Sequence, residues 1–207
     1  MNRAFVYMMV GATLWGTISI FVKNLYAYEF TPMEVVTIRA ITASIILVSY
    51  LLISSPKSLK LKQIKDLKYF VRTGIFSKFA LTKYTTLTVT TYTFVIASIV
   101  LLPFFPIKGK TAILLETEVL FYGFSLGFLP TAMAYIIYTY GFHNTEASKA
   151  AILSTIEPVV ATLIGIFVFL EPFSFIQIIG MAFILGAVIL TQLDQGERFI
   201  KKKVHSN

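Results

Sequence analysis

Glu157 is the single charge inside an apolar run, residues 150–170. A carboxylate placed there costs on the order of 2.5–3.5 kcal/mol on insertion scales, so its presence needs a reason. By the helical rise it lies roughly 10 Å from the start of the run. Pro158 follows it and has no backbone N–H, which frees the Ser154 carbonyl and predicts a kink. Two readings fit: a cation or proton site beside a bend, or a carboxylate that snorkels to the nearer interface and shapes the bend. Arg39 likewise stands alone in residues 35–53, about 8 Å from the edge at which that run begins. Either its long stem reaches that interface or it meets an anionic substrate group. The two residues enter from opposite faces with about 12 Å of depth between their backbones, so spacing does not predict a direct pair.

Aromatic residues supply the other candidates. Trp15 lies in the middle of an apolar run rather than in the interfacial belt, and a buried indole needs a partner for its N–H. It either lines a cavity or packs beside Gly16. Tyr135 and Tyr138, three apart, share one helical face and either line a polar path or pack as aromatic filler. Pro130 and Pro103 are expected to bend their helices. Gly123-x-x-x-Gly127 and Ala182-x-x-x-Gly186 fit close helix contacts. Enzymatic signatures are absent: there is no metalloprotease, nucleophile-elbow, phosphate-loop or dinucleotide pattern. With no cysteine and only His143 and His205, no metal or cofactor is expected.

The elements that must position these residues follow from composition. Of 207 residues 57% are hydrophobic and 14% charged, with a mean hydropathy of +0.79. A water-soluble domain carries about 25% charged residues and could not hide so much apolar surface at this size. The net charge of +8 therefore speaks to membrane orientation and not to nucleic acid. Six runs approach the roughly 20 residues that cross a bilayer: 4–22, 35–53, 84–107, 119–142, 150–170 and 172–193. They lack the alternation of barrel strands and read as helices, giving an all-α transmembrane fold of about six spans. Leu25-Tyr26-Ala27 is a poor cleavage site, so the first run reads as a retained span.

Lysine and arginine favour the cytoplasmic side. Of the 18 such residues, Arg3, the cluster from Lys57 to Lys83, Lys149 and the cluster from Arg198 to Lys203 fall on one side; Lys23, Lys108 and Lys110 fall on the other. Both termini are thus expected in the cytoplasm of a multi-pass plasma-membrane protein. The domain reading is 1–56 as two spans, 57–83 as a basic cytoplasmic junction, 84–197 as four spans and 198–207 as a basic tail. Within the junction, Leu61, Ile64, Leu67 and Val71 recur at helical spacing between lysines, which suits either an interfacial helix or a solvated basic loop.

An internal repeat is visible. Ile20-Phe21-Val22-Lys23 matches Ile75-Phe76-Ser77-Lys78, and Ala43-Ser44-Ile45 matches Ala97-Ser98-Ile99. The charge distribution places Lys23 outside and Lys78 inside, so the copies have opposite orientation, as in inverted-repeat carriers.

The chain resembles EamA-type permeases of the drug/metabolite transporter superfamily. The residues that carry this are Gly11-Ala12-Thr13-Leu14-Trp15-Gly16 with Lys23, Pro32 and Arg39 at the start. Later come Leu129-Pro130-Thr131-Ala132-Met133-Ala134-Tyr135, Glu157-Pro158-Val159-Val160-Ala161, Leu170-Glu171-Pro172, Gly180 and Gly186. The four-helix multidrug exporters differ, since they carry a Glu in their first span. The resemblance implies a permease moving a small organic metabolite or drug by alternating access. It also implies two five-helix repeats, of which this chain carries the first two helices and the last four. The join falls near Gly74-Ile75, as an in-frame internal deletion would leave it. Transport then requires an oligomer, formed with a second copy or a full-length relative. The other reading is a non-transporting remnant or accessory subunit.

Overall fold

The computed structural model describes residues 3–59, 83–105, 109–142, 147–172 and 174–204. The basic junction, with the seam at Gly74-Ile75 and the repeat copy at Ile75 to Lys78, lies almost wholly outside the described residues, as do His143 and His205. The described chain is helical, with no strand. Four helical stretches are long and apolar enough to cross a membrane: Arg3–Ala27, Pro32–Ser54, Thr86–Phe104 and Thr117–Phe142. The fifth and sixth expected spans correspond to shorter apolar helices, Ile152–Phe167 and Phe175–Ala187.

The first stretch is two helices, α1 (Arg3–Gly16) and α2 (Ile18–Ala27), separated at Thr17. Thr17 turns its hydroxyl back to the Leu14 carbonyl at 2.7 Å, so the break leaves fewer polar groups bare. Helix α3 (Pro32–Ser54) starts with Thr31 as N-cap, Pro32 in the first turn and Glu34 closing a capping box. Helix α4 (Thr86–Leu101) runs on into a 3-10 turn, Leu102–Phe104, around Pro103. The next stretch comprises α5 (Thr117–Gly127), a π-helical segment Phe128–Met133 and α6 (Ala134–Phe142). Then come α7 (Ala147–Ser154) and α8 (Ile156–Phe167), parted at Thr155, and α9 (Phe175–Val204). Helix α9 continues past the expected end of the sixth span through the basic tail.

Helix α1 is the centre of the bundle, and glycines let its neighbours approach. A Cβ on Gly11 would lie 2.8 Å from Tyr138 Cβ, and one on Gly141 2.5 Å from the Ala4 carbonyl, so α1 and α6 are antiparallel and nearly in backbone contact. On its other side Gly16 abuts Val160, where a Cβ would meet Val160 Cβ at 2.5 Å. Phe5, Met8 and Ala12 share a buried core with Ala150, Leu153 and Ile156. Helix α3 meets α5 the same way: Gly123 faces Ile38, and Gly127 faces Thr42 and Ala43. The second small-residue pattern behaves differently. A Cβ on Gly180 or Gly186 would meet nothing within 4 Å among the described residues, and Ile176, Phe183 and Leu190 stand exposed.

The repeat has a structural counterpart. At an offset of 54 residues, Thr31 and Thr85 each cap a helix through the backbone N–H three residues on. Thr37 and Thr91 are both buried and each bonds the carbonyl four residues back. Ser98 then donates to Ser44 at 3.2 Å, joining the two Ala-Ser-Ile copies. Thr37 reaches Leu101 while Tyr92 reaches Leu59, so α3 and α4 run antiparallel.

These packings predict opposite outcomes for two glycines. Gly141→Ala forces a methyl onto the Ala4 carbonyl and should destabilise the fold by about 1–3 kcal/mol. Gly186→Ala meets open space and should leave stability unchanged. Thermal unfolding of both variants in detergent checks this.

Candidate functional site

Three of the interruptions, at Thr17, Phe128–Met133 and Thr155, fall near one level. Gly11 against Tyr138 and Gly141 against Met8 set the α1–α6 register, which places the π-helical segment beside Trp15 and Thr17. Glu157, on α8, has its carbonyl against Gly16. The bundle therefore gathers broken helices and polar side chains in its interior. Such sites form where irregular backbone lines a cavity.

Pro130 creates the π-helical segment and its chemistry. It has no N–H for the Leu126 carbonyl four residues back. The fully buried Thr131 hydroxyl donates to that carbonyl at 2.8 Å. The same oxygen accepts the Nε–H of Arg39 at 2.9 Å. Arg39 thus does not reach for the interface near its own helix start. Gly127 faces Thr42, one turn along α3, and Thr131 lies one turn beyond Gly127, so the side chain runs inward. A relay of Arg39, Thr131 and Leu126 joins α3 to the π-helical segment. Thr131 stands among the residues that carry the family resemblance but is absent from the sequence-derived candidates; its signal is a hydroxyl immediately after an intramembrane proline.

The remaining candidates lie around Tyr135. The Trp15 ring packs edge-on to Tyr135 with centroids 5.1 Å apart and tilted on Tyr138 at 4.7 Å. Phe94 of α4 meets Tyr135 edge-on at 5.7 Å. Tyr138 donates to the Ala150 carbonyl at 2.7 Å, which pins α6 to α7 and gives this phenol a packing role. Trp15 Nε1 is buried and has no hydrogen-bond partner. Arg39 and Glu157 are each half-buried, and each lies within electrostatic range of the other and of Tyr135. No ion pair within 4 Å joins the two among the described residues. Pro158 sits in the first turn of α8, and the helix is parted at Thr155, whose hydroxyl turns back to Ile152 at 2.6 Å. The structure therefore brings Trp15, Arg39, Tyr135, Tyr138 and Glu157 into one neighbourhood, with Pro130 and Pro158 at the adjoining interruptions.

Access differs at the two ends. At the end bearing the loops after α2 and α8, Lys23 pairs with Glu171 and lies over the Phe169 ring. Lys110 pairs with Glu34 at 2.8 Å and donates to the Glu29 carbonyl. Tyr28 donates to Glu118, a bond that holds the phenol's pKa up at about 12. At the other end a cleft of about 460 Å³ opens between α3, α4 and α6, lined with hydroxyls that include Tyr50, Ser54, Thr85, Thr139 and Tyr140.

The sequence model of the EamA-like transporter family matches residues 2–76 and again residues 69–193. A protein of Archaeoglobus fulgidus described as an uncharacterized transporter is 34% identical over 116 residues, which is 56% of this chain and 41% of that protein. The chain spans about two fifths of that relative's length. No solved structure matches.

Thr131 gives this site a direct test. Thr131→Val keeps the shape but removes both the acceptor of Arg39 and a donor to Leu126, and should destabilise by about 1–3 kcal/mol. Thr131→Ser retains the hydroxyl and should recover most of that loss, measured by chemical or thermal unfolding in detergent.

Proposed function

The chain belongs to the EamA-like transporter family, and on that premise we propose that it moves a small organic metabolite or drug across the plasma membrane by alternating access. The binding site in this reading is the cluster of Trp15, Arg39, Tyr135 and Glu157. One observation carries it: Arg39 turns into the bundle toward a π-helical segment instead of out to the interface. An intramembrane charge so placed marks a substrate or ion path. The ion pairs at one end and the hydroxyl-lined cleft at the other fit a state closed on one side and open on the other. The distribution of lysine and arginine supports both termini in the cytoplasm, with the cleft facing inward.

The two family matches meet at residues 69–76, which supports a junction at Gly74-Ile75 between a shortened first repeat and a second one. A shortened first repeat leaves part of the family's cavity wall to be supplied from outside. Transport then depends on an oligomer, made with a second copy or with a full-length relative. The open surroundings of Gly180 and Gly186 favour a second reading, an accessory subunit that packs α9 against such a relative.

Reconstitution separates these. The purified chain in proteoliposomes should show saturable flux of a small organic solute. Glu157→Gln should lower that flux roughly tenfold, the equivalent of about 1.4 kcal/mol. No flux for the chain alone, with binding to a full-length relative that transports equally well without it, would replace the transporter reading with the accessory one.

A further inference from the structure

The central cluster holds more donors than its own acceptors use. Among the described residues Arg39 makes one hydrogen bond, from Nε to Thr131, which leaves the four N–H groups of its Nη nitrogens without a protein acceptor. These nitrogens are not sealed in, since the buried side-chain polar atom lacking a partner among the described residues is Trp15 Nε1. Among the described residues Glu157 forms no ion pair with the guanidinium within 4 Å. A half-buried guanidinium with spare donors, and an unpartnered indole N–H on the ring that packs against Tyr135, are unfavourable in a membrane protein unless a ligand completes them. A guanidinium fork with both Nη groups spare matches a carboxylate in charge and geometry.

We propose that this site binds organic anions through a carboxylate, held by the Arg39 Nη groups and capped by the Trp15 indole N–H, with the hydrocarbon part of the ligand against Trp15, Tyr135 and Phe94. The aromatic walls are in ring contact, Trp15 with Tyr135 at 5.1 Å and Tyr135 with Phe94 of α4 at 5.7 Å. The repeat sharpens the assignment. The position equivalent to Arg39 at the 54-residue offset is Thr93, which is exposed and bonds its own helix at Val89. The anion-binding group is thus confined to one copy, and the ligand sits off the Ser44–Ser98 contact. This inference rests on the central cluster being the transport site, and it names the substrate class for that site.

Trp15 is the chain's only tryptophan, so its emission reports on the site without labelling. The full-length chain in detergent is titrated with hexanoate, hexanamide and hexylamine, three probes of similar size that differ in charge. Hexanoate should change the emission saturably, while the amide and the amine should not. Arg39→Gln should weaken hexanoate at least tenfold, and Arg39→Lys should recover part of that loss. Should Arg39→Gln fail to fold, Glu157→Gln supplies the test: removing the neighbouring negative charge should tighten hexanoate several-fold. A saturable response to hexylamine that Glu157→Gln abolishes, no saturable response to hexanoate, or hexanoate binding unchanged in both variants would each overturn the proposal. Hexanoate binding at Arg39 without flux of any solute would leave this inference standing and sink the transport reading. Flux of cations with no carboxylate binding would do the reverse.

Discussion

Lipid offers no hydrogen bonds, so a backbone group that loses its helical partner inside the membrane must find another within the protein. Pro130 imposes that condition on the Leu126 carbonyl. Thr131 meets it with its hydroxyl, at 2.8 Å, and in doing so fixes an oxygen where Arg39 can reach it. The consequences spread outward. The segment Phe128–Met133 takes π-helical form, which presents Tyr135 toward Trp15. Arg39 is drawn inward to the Thr131 hydroxyl. One missing N–H thus determines where the charge of this bundle sits.

The close approach of the helices is the second condition. Gly11, Gly16 and Gly141 bring α1 nearly into backbone contact with α6 and α8, which sets the Trp15 ring against Tyr135 and Tyr138. In lipid this kind of packing replaces the hydrophobic effect as the force between helices. Helix α9 lacks it, and its exposed Ile176, Phe183 and Leu190 face outward. The contrast locates the tightly built part of the molecule around the polar cluster and leaves the margin open to lipid or to another chain.

Helices α3 and α4 show how two antiparallel helices with matching residues can keep one framework while dividing its chemistry. The caps at Thr31 and Thr85, the buried Thr37 and Thr91, and the joined Ser44 and Ser98 are shared. Arg39 against Thr93 and Ala40 against Phe94 are not. Backbone-satisfying hydroxyls are equivalent because both copies meet the same requirement of a helix in lipid. The charged and aromatic side chains differ because only one copy faces the cluster with each.

The sequence by itself determined the class of fold, because composition and run length leave helices as the only way to carry so much apolar surface through a bilayer. It also determined the family, through the order of short motifs from Gly11-Ala12 to Glu157-Pro158. It marked Trp15, Arg39, Tyr135, Tyr138 and Glu157 one by one, since a charge or a buried indole inside an apolar run stands out without any knowledge of neighbours. Only the tertiary structure decided that they share a neighbourhood. Counting depth along separate helices set Arg39 and Glu157 about 12 Å apart and left each free to snorkel. It could not register that Arg39 would be held inward by Thr131, because that hydroxyl's position depends on a proline 91 residues away from Arg39 in sequence. Close contact at Gly186 also failed to follow from its spacing, since small residues permit an approach and only a partner helix makes one.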